Sequence, residues 1–208
     1  MLESLPRTLG TCHKLKRLLA FSNQIVAMPL GALGGLSMLQ ELQLHHNCLK
    51  RLPEDIGLLS SLVVLDCSYN QITDLPDSFK DLHELRQLRL SFNQVDELTE
   101  EVVMGLTKLQ CIHLDYNRLQ EIPPALGRCL PHLNILDLNH NRLRNLPDID
   151  GCFANSGRLE TLRLAHNQLT SITDEIGQMT RLNTLDIEGN NLQSLPLEIG
   201  AMGGWLGG

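Results

Sequence analysis

Residues 62–72 read Leu-Val-Val-Leu-Asp-Cys-Ser-Tyr-Asn-Gln-Ile, and seven other stretches of the 208-residue chain share this pattern. They begin at residues 15, 39, 85, 109, 133, 159 and 182, and all fit Leu-x-x-Leu-x-Leu-x-x-Asn-x-Leu with a few apolar replacements. The asparagines lie at intervals of 23 to 26 residues, at positions 23, 47, 70, 93, 117, 141, 167 and 190. A repeat of this length predicts a solenoid, in which each unit completes the core of its neighbour.

The second half of each repeat carries a Leu-Pro pattern, as in Leu52-Pro53-Glu54-Asp55-Ile56-Gly57. Threonine replaces the proline twice, at Thr99 and Thr173. Proline fixes φ and has no backbone donor, so the strand predicted in the first half cannot continue past it. The prolines of this slot are at positions 6, 29, 53, 76, 123, 147 and 196.

These two patterns together resemble the leucine-rich repeat proteins, and the resemblance covers essentially the whole chain. The 23–24-residue Leu-Pro unit is similar to that of Ras-suppressor-like scaffolds and plant Ras-group repeat proteins. The resemblance implies an α/β repeat solenoid, a horseshoe with a parallel concave sheet and an irregular or 3₁₀ convex side. We expect residues 1–208 to form one domain of about eight full repeats with a partial repeat at each end, and with extra residues around Asp150 and Cys152.

Cys67 and Asn70 lie close together in the sequence, which suggests a nucleophilic cysteine with a polar helper. The repeat register favours another interpretation, because Cys67 occupies a position that is leucine in most copies. We therefore expect a buried, unreactive thiol. Asn70 belongs to the series of repeat asparagines, whose inward side chains are expected to bond to backbone groups, since an unpaired buried polar group is costly.

Side chains next to the inward leucines of each strand should point to the concave face. Counted from the first leucine, this face takes the third, fifth, seventh and eighth positions of each repeat. The aromatic residues among them predict a contact ridge, since exposed aromatic residues are frequent interface anchors; the alternative is a packing ridge. The candidate partner-binding residues are Phe21, His46, Asp66, Tyr69, Arg89, Phe92, His113, Asp115, Tyr116, Asp137, His140, Arg163, His166, Asp186 and Glu188.

Charge limits the choice of partner. The formal net charge is −7, whereas a protein that binds the nucleic-acid backbone needs a basic face. Nucleic acid is therefore not an expected partner. The acids of the concave face outweigh its arginines, especially in the C-terminal half, so we expect a protein partner with basic residues at the contact. The resemblance adds a small GTPase as a candidate partner.

No catalytic motif accompanies the repeats. The chain has no Gly-rich phosphate loop, no His-Glu-x-x-His and no Gly-x-Ser-x-Gly. A zinc site built from His46, Tyr69 or His113 would need ligands from several strands to converge. We therefore expect a protein that is not an enzyme and has no metal site and no cofactor.

The cysteines and the N-terminal sequence indicate the cellular compartment. The six cysteines are scattered without a Cys-x-x-Cys pair, and the first residues do not resemble a signal peptide. The uncharged stretch 18–39 contains polar residues and a proline, so we expect no membrane span. These features favour a cytoplasmic scaffold or adaptor, and the resemblance suggests small-GTPase or phosphatase signalling. The alternatives are the substrate-targeting region of a larger enzyme, such as a kinase or ubiquitin ligase, and a receptor-type recognition domain.

Overall fold

One parallel sheet runs through the protein, and each repeat contributes one strand to it. The computed structural model describes residues 1–147, 158–197 and 199. Eight three-residue strands are hydrogen-bonded there in chain order. They are β1 (Arg17–Leu19), β2 (Glu41–Gln43), β3 (Val64–Asp66), β4 (Gln87–Arg89), β5 (Cys111–His113), β6 (Ile135–Asp137), β7 (Thr161–Arg163) and β8 (Thr184–Asp186). The predicted leucine-rich repeat solenoid is confirmed.

The central apolar residue of each strand sets the register of the sheet. Leu42 lies opposite Leu65, Leu65 lies opposite Leu88, and the alignment continues to Leu185 in β8. Alternation along a strand turns these leucines inward and their neighbours outward. The inward residues form one continuous core with the return segments, which contribute the fully buried Phe79.

The return segments on the convex side are mostly single turns of helix. Pro6, Pro53 and Pro76 have an extended backbone, and each directly precedes a 3₁₀ helix. The two threonines of the proline slot act as N-caps instead: Thr99 Oγ1 accepts from the Val102 amide at 3.4 Å, and Thr173 does the same for a 3₁₀ helix. The 3₁₀ helices are Arg7–Thr11, Glu54–Leu58, Asp77–Asp81 and Asp174–Gln178, and the α-helices are α1 (Glu100–Gly105) and α2 (Ala125–Arg128).

The repeat asparagines hydrogen-bond neighbouring repeats together, as expected. Asn93 accepts from the Ile72 amide at 2.9 Å and donates to the carbonyls of Cys67 and Leu90, both at 3.0 Å. Ile72 and Cys67 belong to the preceding repeat, so one side chain bonds to two repeats. The same arrangement recurs at Asn47, Asn70, Asn117, Asn141, Asn167 and Asn190.

Cys67 lies in the core, and its predicted burial is confirmed because it is completely inaccessible to solvent. Burial in this apolar surrounding raises the pKa of its thiol, with a smaller contribution from the charge of Asp66. A protonated, inaccessible thiol is a poor nucleophile.

No helix in the described part of the chain is both long and apolar enough to cross a membrane. The extra residues that the sequence places around Asp150 and Cys152, and the glycine-rich end of the chain, lie outside the described residues.

Candidate binding surface

The concave face of the sheet carries a band of charged side chains. We call this band the polar strip and define it as Arg17, Glu41, Asp66, Arg89, His113, Asp115, Asp137, Arg163, Asp186 and Glu188. Most of its members occupy the third or fifth position of a repeat, within a strand, and the remaining two, Asp115 and Glu188, follow β5 and β8 at the seventh position. The strands therefore bring the predicted charged residues together on one surface.

Each arginine of the polar strip lies against an acid on the neighbouring strand. The nitrogen-to-oxygen distances are 2.5 Å for Arg17–Glu41, 3.8 Å for Arg89–Asp66 and 2.9 Å for Arg163–Asp137. The Arg17 hydrogen bond lowers the pKa of the Glu41 carboxyl below its ordinary value. Among the described residues, no basic side chain pairs with Asp115, Asp186 or Glu188, so the uncompensated negative charge lies toward the C-terminal half.

The rings at the eighth repeat position form a single stack beside the strip. We call it the ring ladder and define it as His46, Tyr69, Phe92, Tyr116, His140 and His166. Successive ring centroids are 4.0–4.4 Å apart and the planes are within 18° of parallel. Tyr69 and Tyr116 are 44% and 43% exposed, so the stack packs internally and still presents its edges to solvent. The ladder is a packing ridge and an exposed ridge at once.

The backbone at the ring ladder is left-handed, which the sequence analysis did not anticipate. Each ladder residue has φ between 53° and 56°, a conformation that bulky residues rarely adopt. The strands end at the fifth position, so the eighth position belongs to a turn rather than to the strand. In that turn the Tyr69 amide donates to the Ser91 carbonyl at 2.8 Å, and the corresponding amides bond to the next repeat in the same way. The stacking and this bond offset a backbone cost of roughly 1–2 kcal/mol per residue.

The ladder ends at Gly189, which occupies the same repeat position and also has positive φ. A Cβ atom there would lie 2.5 Å from His166 Nδ1, so the last ring covers the glycine. This column of one glycine among rings is the sequence signal that could have revealed the left-handed turn. Phe21 lies outside the ladder: it belongs to the seventh position and stacks on His45, with centroids 4.6 Å apart.

A depression of about 330 Å³ lies between the ladder and the strip in the middle of the sheet. Its lining includes the rings of His46, Tyr69 and Phe92 and the carboxylates of Asp66, Asp115 and Asp137. The remaining lining residues are His45, Ser68, Ser91 and His113. His45, Ser68 and Ser91 occupy the seventh position, which the repeat pattern places on the concave face, but they were not among the predicted site residues.

Two predicted contact residues are less accessible than the sequence suggested. Asp66 and Asp137 are only 9% and 6% exposed, because the neighbouring side chains enclose them. Asp66 Oδ1 accepts from the Ser68 amide, and Asp137 Oδ1 accepts from the Asn139 amide. Their carboxylates still line the depression, so a partner would meet them only by inserting a side chain.

His113, Asp115 and Asp137 offer three ligand atoms within 4.8 Å of one another, which is the kind of set that could hold a metal ion. Two of these groups already have protein partners. Ser91 Oγ donates to Asp115 Oδ1 at 2.5 Å, and Arg163 donates to Asp137 Oδ2. The convergence of His113 with acids from its own and the next repeat was not foreseen. That the protein has no metal site stays a prediction.

Family models for leucine-rich repeats match most of these repeats. A single-block model, "Leucine rich repeat", matches residues 90–143. A two-copy model, "Leucine Rich repeats (2 copies)", matches residues 37–77, 60–100 and 158–198. The chain belongs to the leucine-rich repeat family. Domains of this family are generally binding modules without catalytic activity. The narrower likeness to the Ras-suppressor-like group stays a prediction.

Solved leucine-rich repeat structures share this solenoid. A leucine-rich repeat protein of Leptospira interrogans is 32% identical with a TM-score of 0.86, over 97% of this chain and 50% of its own. The plant peptide hormone receptor RGFR1, solved in complex with RGF2, is 27% identical with a TM-score of 0.83, over 96% and 32%. The Arabidopsis receptor kinase HAESA, solved with the peptide hormone IDA and the co-receptor SERK1, is 27% identical with a TM-score of 0.81, over 95% and 33%.

The chain spans half or less of the length of these leucine-rich repeat structures. No curated protein sequence matches it.

Proposed function

We propose that this leucine-rich repeat domain recognises a protein or peptide on the surface formed by the polar strip and the ring ladder. The carrying observation is the continuous six-ring ladder, which is half exposed at its tyrosines and runs beside a charged strip on a rigid sheet. Seven strand intervals of about 4.8 Å give the surface a length of about 34 Å. That length suits a protein contact or an extended peptide, and the peptide-bound plant receptors support the proposal by analogy.

Site-specific photocrosslinking tests this surface. Benzoylphenylalanine in place of Tyr69 keeps an aromatic ring in the ladder and adds a reactive group at an exposed edge. The matched control carries the same residue at Leu58, a 59% exposed position on a convex 3₁₀ helix. We expect a discrete protein or peptide adduct from position 69 in extracts of the producing cells and none from position 58. Adducts at both positions, or at position 58 alone, would contradict a concave binding surface.

The proposal extends to a cellular role as a non-enzymatic cytoplasmic scaffold or adaptor, with small-GTPase or phosphatase signalling as its setting. Imaging of a fluorescent fusion and fractionation of the producing cells test the cytoplasmic location. Identification of the crosslinked partner tests the signalling role. Recovery of an adduct only from a secreted or membrane fraction would contradict the cytoplasmic role.

A second candidate is the recognition part of a larger receptor or enzyme. It is favoured by the solved relatives, two of which are receptor structures about three times as long as the matched part. An immunoblot of the native protein with an antibody to this domain separates the candidates, since a band far above 23.3 kDa supports the larger protein.

A further inference from the structure

The depression between ladder and strip has the charge of a cation site. Three of its ten lining residues are carboxylates and none is lysine or arginine. Its volume of about 330 Å³ lies at the lower end for ligand pockets and accommodates one long side chain. One lining residue is also incompletely bonded: the His45 Nδ1 atom is buried without a hydrogen bond and lies 3.7 Å from Asp66 Oδ2.

The protein's own arginines leave one carboxylate of the depression free for a partner. Arg89 and Arg163 lie against Asp66 and Asp137, whereas the only bond to the Asp115 carboxylate comes from the neutral hydroxyl of Ser91 among the described residues. Asp115 is therefore the group in the depression that an incoming cation would neutralise.

The rings decide which kind of cation fits. Both faces of Tyr69 and of Phe92 are covered by neighbouring rings of the ladder at 4.1–4.4 Å, so solvent meets the edges of these two rings. A ring face attracts cations and a ring edge does not, because the edge is the positive end of the quadrupole. Tyr69 and Phe92 thus offer the depression no open face of the kind an aromatic cage needs, and the site favours a cation that donates hydrogen bonds to carboxylates over a quaternary ammonium group.

A second acid without a basic partner among the described residues lies further along the same column. Asp115 and Glu188 both occupy the seventh repeat position and are separated by three strand intervals, or about 14 Å. In an extended peptide, residues i and i+4 lie on the same side and about 13 Å apart. The two acids match the basic residues of such a segment.

We propose that the partner presents an extended segment with two basic residues four apart, one inserted at Asp115 and the other at Glu188. This inference rests on the proposed function, because it names the chemistry of the partner on that surface. Arginine fits best, since its planar donor fork matches carboxylates. The segment crosses the strands and lies along the ladder, whose positive ring edges face its carbonyl oxygens.

Fluorescence anisotropy with synthetic peptides tests the proposal. The probe is a labelled nine-residue peptide of alanine and serine with arginines at i and i+4. Its controls are a citrulline version, which is neutral and of the same shape, a version with adjacent arginines, and one with two trimethyllysines. We expect saturable binding of the probe, at least tenfold weaker binding of each control, and weakening with salt. Equal binding of the citrulline or trimethyllysine peptide, or no binding of the probe at millimolar concentration, would overturn the proposal.

Variants of the protein test the two acids. Asp115→Asn keeps an acceptor for Ser91, and Glu188→Gln changes an exposed side chain, so both should fold. Each single variant is expected to bind the probe several-fold more weakly, and the double variant at least tenfold more weakly. Glu54→Gln, which removes the same charge from the convex side, should leave the affinity for the probe unchanged. Unchanged affinity in the double variant overturns the inference.

The remaining outcomes separate this inference from the proposed function and from a metal site. If the crosslink from position 69 persists undiminished in the double variant, the binding surface stands and the basic-segment inference fails. If calorimetry shows zinc or calcium binding that Asp115→Asn abolishes, and the probe does not bind, the depression is a metal site and the inference is wrong.

Discussion

Replacing Asn70 and Asn93 together by alanine is expected to destabilise the protein by more than the sum of the two single replacements. The two side chains share one acceptor, because the Cys67 carbonyl receives Asn70 Nδ2 at 2.9 Å and Asn93 Nδ2 at 3.0 Å. No other hydrogen bond to this carbonyl is found among the described residues. Either asparagine alone therefore keeps the carbonyl paired, and only the double replacement leaves it unpaired in the core.

The magnitudes follow from these bonds. Asn93→Ala leaves the buried Ile72 amide without its acceptor, a loss of about 1–3 kcal/mol. The lost Nδ2 bonds add about 1 kcal/mol to this loss. We therefore expect a single replacement to lower the free energy of unfolding by about 3 kcal/mol. The orphaned Cys67 carbonyl should add a further coupling of about 1–3 kcal/mol in the double variant.

A double-mutant cycle in urea measures this coupling. The four proteins are compared at one concentration of trimethylamine oxide, which keeps destabilised variants folded. The control cycle pairs Asn70 with Asn117, which bond to different carbonyls. That cycle should be additive to within about 0.5 kcal/mol. Equal coupling in the two cycles, or none in the adjacent pair, would refute the shared-carbonyl argument.

Two further predictions concern single sites. Gly189→Ala should lower the melting temperature by several degrees, because its Cβ would contact His166 at 2.5 Å in a left-handed backbone, whereas Gly34→Ala has an ordinary 3.5 Å contact and should change it little; equal melting temperatures for the two variants would contradict this. Iodoacetamide should modify the exposed Cys12 at least a hundredfold faster than the buried Cys67 in native protein, with the two rates converging in denaturant, and mass spectrometry of the digested protein reports both; a fast native reaction of Cys67 would contradict the burial argument.

The sequence was sufficient to predict the parts of the fold that depend on the residue type at a single position of the repeat. The spacing of Leu42, Leu65 and Leu88 predicted aligned parallel strands, and the structure pairs these residues. The Asn93 bonds and the burial of Cys67 followed from the same register. These predictions succeeded because each depends on one residue type at one repeat position, which eight copies confirm internally.

The details of the candidate surface could not be predicted in the same way, because they depend on geometry between repeats. Strand alternation would turn Tyr69 to the same side as the buried Leu65 and Cys67, but the strand ends at Asp66. The left-handed turn then brings the Tyr69 ring against Phe92. The burial of Asp137 likewise arises from side chains of adjacent repeats, which no single repeat reveals.

The ladder and the strip have different physical constraints. A ladder residue such as Phe92 has to keep its ring, because that ring stacks on both neighbours while its amide bonds to the next repeat. A strip residue takes no part in the ring stack: Glu188 is exposed, and Asp186 accepts from the Glu188 amide and from Asn139 Nδ2. The fifth position accordingly varies in charge along the chain, while the eighth carries a ring in six successive repeats. In the proposed binding mode, the fixed array of ring edges would position an extended partner, and the variable charges beside it would select which partner binds.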